Sequence, residues 1–218
     1  MAKSLYSLIL SDEVVERIDR MATRQGTNRS ALVNQILAEY CTLVTPEKQI
    51  ESVFDAVRRL FDDDGDLSPT VTPHQSTMFL KTSLAYRYRP SVRYDIRLYP
   101  HAVGSRAAFV GELTVTFRTQ SEELLGAIER FFRLWTDAEL PLVTGFFAGE
   151  PVYLVSQGRL TRRFALTDGS HSAEDVARAL SSYVRGFDAA LKGIVSGAMS
   201  PAALPGLCES LLADSILR

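Results

Sequence analysis

The stretch that decides the fold is residues 4–37, SLYSLILSDEVVERIDRMATRQGTNRSALVNQIL. Its first part, Leu5–Leu10, is rich in strand-forming residues and stops at Ser11, a good helix N-cap. Two acidic residues occupy the first helical turn, where they favour the helix dipole, and apolar residues then recur every three to four positions. Gly26 ends this predicted helix, and Asn28 caps a second one. The stretch therefore predicts one strand followed by two short helices.

A unit of about forty residues with these three elements is too small to bury a hydrophobic core alone. The expected remedy is dimerisation. The strand would pair with its copy in a second chain, and the four helices would pack over the two strands.

The order of strand, helix and helix over residues 3–42 resembles the ribbon-helix-helix superfamily of bacterial and phage repressors. The most characteristic part is the step Asn28-Arg29-Ser30 at the start of the second helix. The resemblance implies a DNA-binding transcriptional regulator that acts as a homodimer or higher oligomer. Its paired strands would enter the major groove, and its second helices would bind phosphates. The DNA-binding residues it implies are Lys3, Leu5, Ser7, Ile9, Arg29 and Ser30.

The face that the strand would present to DNA is mostly apolar. Alternation points Tyr6, Leu8 and Leu10 towards the helices and Leu5, Ser7 and Ile9 outwards. Base readout relies on hydrogen bonds, which only Ser7 offers, while the two aliphatic residues could contact thymine methyl groups. Two interpretations follow. The favoured one is a DNA binder with weak direct readout, and the alternative is a dimerisation or protein-interaction module without specific DNA binding.

The sequence divides into three segments on this interpretation. Residues 1–44 form the ribbon-helix-helix domain, and residues 45–75 form a connecting helix and an acidic, proline-containing linker. Residues 76–218 form an α+β domain for oligomerisation, a ligand response or further DNA-backbone contacts. Within it, helices are predicted to begin at Ser121 and at Ser172 or Ala173, and a hairpin is predicted from residues 151–156 and 159–166. The fold class expected for the whole chain is therefore α+β with an antiparallel sheet.

The sheet is predicted from a change of period to two between residues 78 and 118. This region carries seven basic and two acidic residues when counted over residues 76–118. Its polar face would be either an ordinary solvated surface or an anion-binding one, for a DNA backbone, a small anionic ligand or an acidic protein partner. The basic residues assigned to it are Lys81, Arg87, Arg89, Arg93, Arg97 and Arg118.

Composition excludes several other classes. The chain has 218 residues, 46% of them hydrophobic, and a formal net charge of −2, values typical of a globular protein. No apolar run approaches the roughly 20 residues that span a bilayer, and the two separated cysteines suit a reducing compartment, so we expect a cytoplasmic protein. The three histidines stand singly, and no nucleotide-binding or hydrolase motif is present. We therefore expect no metal, no cofactor and no enzymatic activity.

Overall fold

The computed structural model describes most of the chain, which clusters into two compact units, Met1–Thr45 and Pro46–Arg218. We call them the N-terminal and C-terminal units. The residues that the structure does not describe are 1–6, 42–43, 63–65, 72–75, 87–88, 104–108, 148, 168 and 170.

Two helices form the described part of the N-terminal unit, α1 (Asp12–Arg24) and α2 (Arg29–Tyr40). Gly26 lies in the turn between them with a φ of 63°, a left-handed conformation that glycine adopts without steric cost. Asn28 caps α2, since its side-chain oxygen accepts a hydrogen bond from the Ala31 N–H at 2.9 Å. Both predicted helices are therefore present, with the predicted turn between them.

The core of the N-terminal unit is small. Ala22 and Leu32 are its only buried apolar residues among those described. Nine larger apolar side chains among the described residues of the unit are exposed in the single chain: Leu8, Ile9, Leu10, Val14, Met21, Ile36, Leu37, Tyr40 and Val44. One copy of this unit thus leaves these apolar side chains in contact with water.

The predicted N-terminal ribbon is not confirmed. Residues 7–10, the described part of the predicted strand Leu5–Leu10, adopt no strand, and the sheet of the protein lies in the C-terminal unit. A strand needs a neighbour to satisfy its backbone N–H and C=O groups, and no described residue of the N-terminal unit provides one in a single chain.

The C-terminal unit contains four α-helices and six strands in its described parts. In chain order they are α3 (Pro46–Phe61), β1 (Ser68–Val71), β2 (Thr77–Ser83), β3 (Ser91–Val103), β4 (Phe109–Arg118), α4 (Glu122–Val143), β5 (Tyr153–Ser156), β6 (Arg159–Phe164), α5 (Ala173–Ser196) and α6 (Leu204–Ala213). Single turns of 3-10 helix at Thr144–Phe146 and Pro201–Ala203 follow α4 and precede α6. The protein therefore belongs to the α+β class, as predicted.

The six strands form one antiparallel sheet in the order β1-β2-β3-β4-β6-β5. Strands β2, β3 and β4 make the predicted meander, and β1, which lies in the segment predicted to be a linker, pairs with β2 at its edge. The chain then leaves the sheet through α4 and returns as the predicted β5–β6 hairpin, which places β6 beside β4. Thr114 and Thr161 face each other across this junction, with their hydroxyl oxygens 3.0 Å apart.

Side chains on one face of the sheet are buried against the helices. Along β3, Val92, Tyr94 and Ile96 are fully buried, while the residues between them are exposed or half-buried. The ring of Phe187 on α5 lies 4.8 Å from that of Trp135 on α4 in this core. We call the opposite side of the sheet, which points away from this core, the outer face.

Helix α3 also belongs to this core. Val53, Phe54, Val57 and Phe61 are all at most 3% exposed. The helix that the sequence analysis placed in a connecting segment therefore packs inside the C-terminal unit. Only residues 41–45 separate it from the end of α2.

Candidate functional site

The DNA-contact residues implied by the ribbon-helix-helix resemblance are only partly within the described chain. Lys3 and Leu5 lie outside it. Ser7, Ile9 and Ser30 are exposed, and Ile9 is completely accessible to solvent. The N-terminal unit thus presents an exposed apolar segment just before α1.

Arg29 is held by a carboxylate rather than standing alone. Its Nε atom donates to Oδ1 of Asp19 at 2.7 Å, and its Nη2 atom donates to Oδ2 of the same carboxylate. The hydrogen bond from Arg29 lowers the pKa of Asp19, and the same bond raises the pKa of Arg29. The pair ties the start of α2 to α1, so Arg29 has a positioning role and its charge is already balanced.

A row of polar and basic side chains crosses the outer face of the sheet. Register places Lys81 of β2, Arg93 of β3, Thr116 of β4 and Arg159 of β6 opposite one another in turn. Arg93 donates three hydrogen bonds of 2.6–2.9 Å to Asp95, which balances the charge of this arginine but not the charges of Lys81 and Arg159. We call these four residues with their neighbour Arg118 the basic row.

A second line of charges runs parallel to the basic row. Arg97, Glu112 and Arg163 face one another on β3, β4 and β6. Glu112 lies 3.7 Å from Arg97, which neutralises that arginine. Arg163 stacks over the ring of Phe109 at 5.0 Å and donates to a main-chain oxygen.

The structure places the predicted basic residues unevenly. Lys81, Arg93, Arg97 and Arg118 share the outer face, as the alternation predicts. Arg89 lies outside the strands, and Arg87 is outside the described residues. Sequence analysis missed two basic residues of this face, Arg159 and Arg163, because it did not connect the β5–β6 hairpin with the meander.

A cleft of about 520 Å³ lies beside the end of α5, and Arg89 contributes to its lining. Arg89 has a φ of 43°, which is unusual for a residue other than glycine. Lys192 also lines the cleft, where it contacts Asp188 at 2.8 Å and Asp66 at 3.2 Å. Burial alone would lower the pKa of Lys192, but these two carboxylates raise it. The lysine charge is thus committed to pairs within the protein.

The most buried charges form a cluster that sequence analysis missed. Glu139 of α4 is 0% exposed, and Arg162 of β6 is 1% exposed. The arginine Nη2 and Nε atoms donate to Glu139 Oε1 at 2.6 and 3.1 Å. Its Nη1 atom donates to the main-chain oxygens of Arg163 and Arg218, each at 2.9 Å.

The second carboxylate oxygen of this cluster is equally occupied. Glu139 Oε2 accepts hydrogen bonds from Trp135 at 2.7 Å, from Tyr183 at 2.6 Å and from the Tyr153 hydroxyl. Burial and the negative charge beside them raise the pKa of both tyrosines well above the ordinary value. Burial would lower the pKa of Arg162, and the adjacent carboxylate reverses this and raises it. Because its donors and acceptors are matched internally, we assign this cluster a structural role.

The signal for this cluster was present in the sequence. Leu160, Arg162 and Phe164 occupy alternate positions of one strand, so an inward-facing strand pattern contains a charged residue. A buried arginine needs a carboxylate partner, but nothing in the sequence shows which of the acidic residues of α4 faces it.

The described residues contain no helix with the length and apolarity of a membrane span. They also contain no group of three or more His, Cys, Asp or Glu side chains arranged to hold a metal ion. Comparison of the chain with protein-family models, curated proteins and solved structures found no match.

Proposed function

We propose that this protein is a DNA-binding transcriptional regulator that acts as a ribbon-helix-helix dimer through its N-terminal unit. The C-terminal unit would serve oligomerisation, a ligand response or further contacts with the DNA backbone. The proposal rests on the order of elements in residues 3–42 and on one structural observation, the exposed apolar surface of the α1–α2 pair.

That surface is what a dimer of this type requires. Ile36 and Leu37 of α2 are 40% and 50% exposed in the single chain, and Leu8 before α1 is 62% exposed. Fully burying an exposed side chain of this size gains about 1.5–3 kcal/mol, so each of these half-exposed side chains would gain roughly half of that on association, which favours the pairing of two copies. Two such segments brought side by side would also satisfy each other's backbone groups as a two-stranded ribbon, which fits the major groove.

Fluorescence anisotropy tests the proposal. Labelled duplex from the region upstream of the coding sequence is titrated beside a scrambled duplex, at about 50 and about 150 mM salt. We expect tighter binding to the native sequence that persists at the higher salt. A folded protein that binds neither duplex at either salt concentration would contradict the proposal.

Variants connect this binding to the dimer. Ile36→Asp should shift the protein to monomers in analytical ultracentrifugation and abolish specific DNA binding, because it places a charge in the apolar surface. Asn34→Asp is the matched control, since it adds the same charge at an exposed polar position of the same helix. It should leave the dimer intact. Equal behaviour of the two variants would mean that this surface is not the dimer interface.

A second candidate function is a dimerisation or protein-interaction module that does not bind specific DNA. Two observations favour it: Ile9 is fully exposed and apolar, and the charge of Arg29 is balanced by Asp19. Ile9→Arg separates the two candidates. The variant should retain or increase DNA affinity if the segment faces DNA, and it should disrupt a protein complex if the segment faces a protein.

A further inference from the structure

We infer that the outer face of the C-terminal sheet binds the sugar-phosphate backbone of the DNA held by the N-terminal units. The inference rests on the proposed function and assigns a nucleic-acid contact to a second part of the chain. The described strand residues of this face carry six cations, Lys81, Arg93, Arg97, Arg118, Arg159 and Arg163, and two carboxylates, Asp95 and Glu112.

The carboxylates do not cancel this charge. Asp95 is occupied by Arg93, and Glu112 is the partner of Arg97. In the described parts of the chain, Lys81, Arg118, Arg159 and Arg163 make no ion pair. The face therefore has an excess of four positive charges on a chain whose formal net charge is −2.

The dimensions of the basic row fit a polynucleotide. Lys81 and Arg159 lie three strand spacings apart, or about 14 Å at about 4.8 Å per spacing. One DNA strand presents a phosphate for every 3.4 Å or so of helix axis, so the row spans roughly four phosphates. Between the two cations lie Arg93 and Thr116, and guanidinium and hydroxyl groups are among the usual donors to phosphate oxygens.

The environment of the row supports this assignment. The guanidinium of Arg93 lies 4.2 Å from the ring centre of Phe79, and Lys81 lies 5.4 Å from the same ring. The ring thus positions Lys81, and the ring and Asp95 together position Arg93. Pre-organised donors lose less conformational entropy when they bind a rigid polyanion.

The connection between the two units is short in sequence. Five residues, 41–45, separate α2 from α3, so DNA bound by the N-terminal units stays tethered to the C-terminal unit of the same chain. Non-specific DNA binding at physiological salt has dissociation constants of about 10⁻⁴ to 10⁻⁶ M. Tethering to the same duplex would raise the occupancy of a face with such an affinity.

The test is the salt dependence of DNA binding by the full chain. The variant Lys81→Gln/Arg159→Gln removes two exposed cations without breaking an ion pair between described residues. Each lost phosphate contact lowers the slope of log K against log salt by about 0.9. We expect the slope for the variant to be smaller in magnitude by about 1.8 with native and scrambled duplex alike. The ratio of wild-type to variant affinity should then fall about 12-fold between about 50 and about 200 mM salt.

A matched control removes the same charge elsewhere. Arg130→Gln/Arg133→Gln changes two exposed arginines of α4, which do not lie on the outer face. This variant should keep the wild-type slope. Equal slopes for the wild type and the Lys81/Arg159 variant would overturn the inference, and so would equal losses in the two double variants.

The outcomes distinguish this inference from the proposed function. If the protein binds DNA sequence-specifically and the Lys81/Arg159 variant keeps the wild-type slope, the inference is overturned while the proposed function stands. Binding without sequence preference whose slope falls only in the Lys81/Arg159 variant supports a DNA contact of the outer face, but it contradicts the proposed sequence-specific regulator and with it the premise that the N-terminal units hold the DNA. Labelled poly-L-glutamate is titrated in parallel. If it binds through Lys81 and Arg159 while DNA does not, the face takes an acidic protein, and the inference is wrong.

Discussion

Replacing Arg162 by methionine would leave the carboxylate of Glu139 buried without its cation. Both groups are at most 1% exposed, and they are joined at 2.6 Å. Removing one partner of a buried pair costs about 3–5 kcal/mol, because the other charge stays uncompensated. This is a large part of the 5–15 kcal/mol or so by which a typical domain is stable. We therefore expect Arg162→Met to lower the free energy of unfolding of the C-terminal unit by about 3–5 kcal/mol.

Urea unfolding followed by tryptophan fluorescence measures this directly. Trp135 is the only tryptophan of the chain, and its indole N–H donates to Glu139, so the probe lies within the perturbed cluster. Arg159→Met on the same strand is the control, because Arg159 is exposed. It should change stability by at most about 0.5 kcal/mol.

A double variant tests the physical reason. Glu139→Gln alone should also cost about 3–5 kcal/mol, since it leaves Arg162 unpaired. Glu139→Gln/Arg162→Met buries no charge, and its cost should be smaller than the sum of the two single costs by at least about 2 kcal/mol. Additivity within about 0.5 kcal/mol, or a loss below about 1 kcal/mol for Arg162→Met, would refute the reasoning.

Four further outcomes are expected, at Ser172, Asp175, the two cysteines and Gly111. Ser172→Ala removes the reciprocal cap of α5 and should lower stability by about 1 kcal/mol in the same urea assay. A hydrogen bond from the Ser172 hydroxyl lowers the pKa of Asp175, so this carboxylate stabilises the fold at pH values above its unfolded pKa near 3.8. Because the variant loses that stabilisation, its acid unfolding should begin at a higher pH than that of the wild type. Burial raises the pKa of Cys208 to about 12, so near pH 8 a thiol reagent should modify one cysteine per native chain, the exposed Cys41, and two after denaturation. Gly111→Ala would place its Cβ 2.4 Å from a main-chain oxygen of β3. It should lower the free energy of unfolding in urea by about 3 kcal/mol or more, and a loss below about 1 kcal/mol would contradict that close approach.

Local sequence patterns predicted the elements well. The N-cap residues Asn28, Ser121 and Ser172 each begin a helix at the position expected, because capping depends on a few adjacent backbone N–H groups. The alternation of β2, β3 and β4 identified which side chains are buried, since a strand has a period of two whatever lies beside it.

Relations between distant segments were not predictable in the same way. The hairpin containing β6 was identified, but its place beside β4 was not, and Arg159 and Arg163 were therefore left out of the candidate basic surface. Helix α3 was assigned to a connecting segment, although Val57 and Phe61 are buried in the C-terminal core. An apolar helix face shows that a partner exists without showing which element is that partner.

The predicted N-terminal ribbon could not be tested within a single chain. A strand formed between two copies depends on a second chain, and one chain leaves residues 7–10 without a neighbouring strand among the described residues. The resemblance to repressors and the DNA-binding residues it implies therefore remain predictions that the binding and ultracentrifugation experiments address.

The late position of β6 in the chain also sets an order of assembly during synthesis. Strands β1 to β4 follow one another closely and can pair as soon as they leave the ribosome, but Thr114 must wait for Thr161, 47 residues later. Glu139 emerges 23 residues before Arg162, and until then it has no cation at its side. Docking of β6 beside β4 thus covers the exposed edge of β4, and α5 must still follow to cover the core with Tyr183 and Phe187. A nascent chain stalled before residue 162 would hold an unfinished sheet with β4 as an open, aggregation-prone edge.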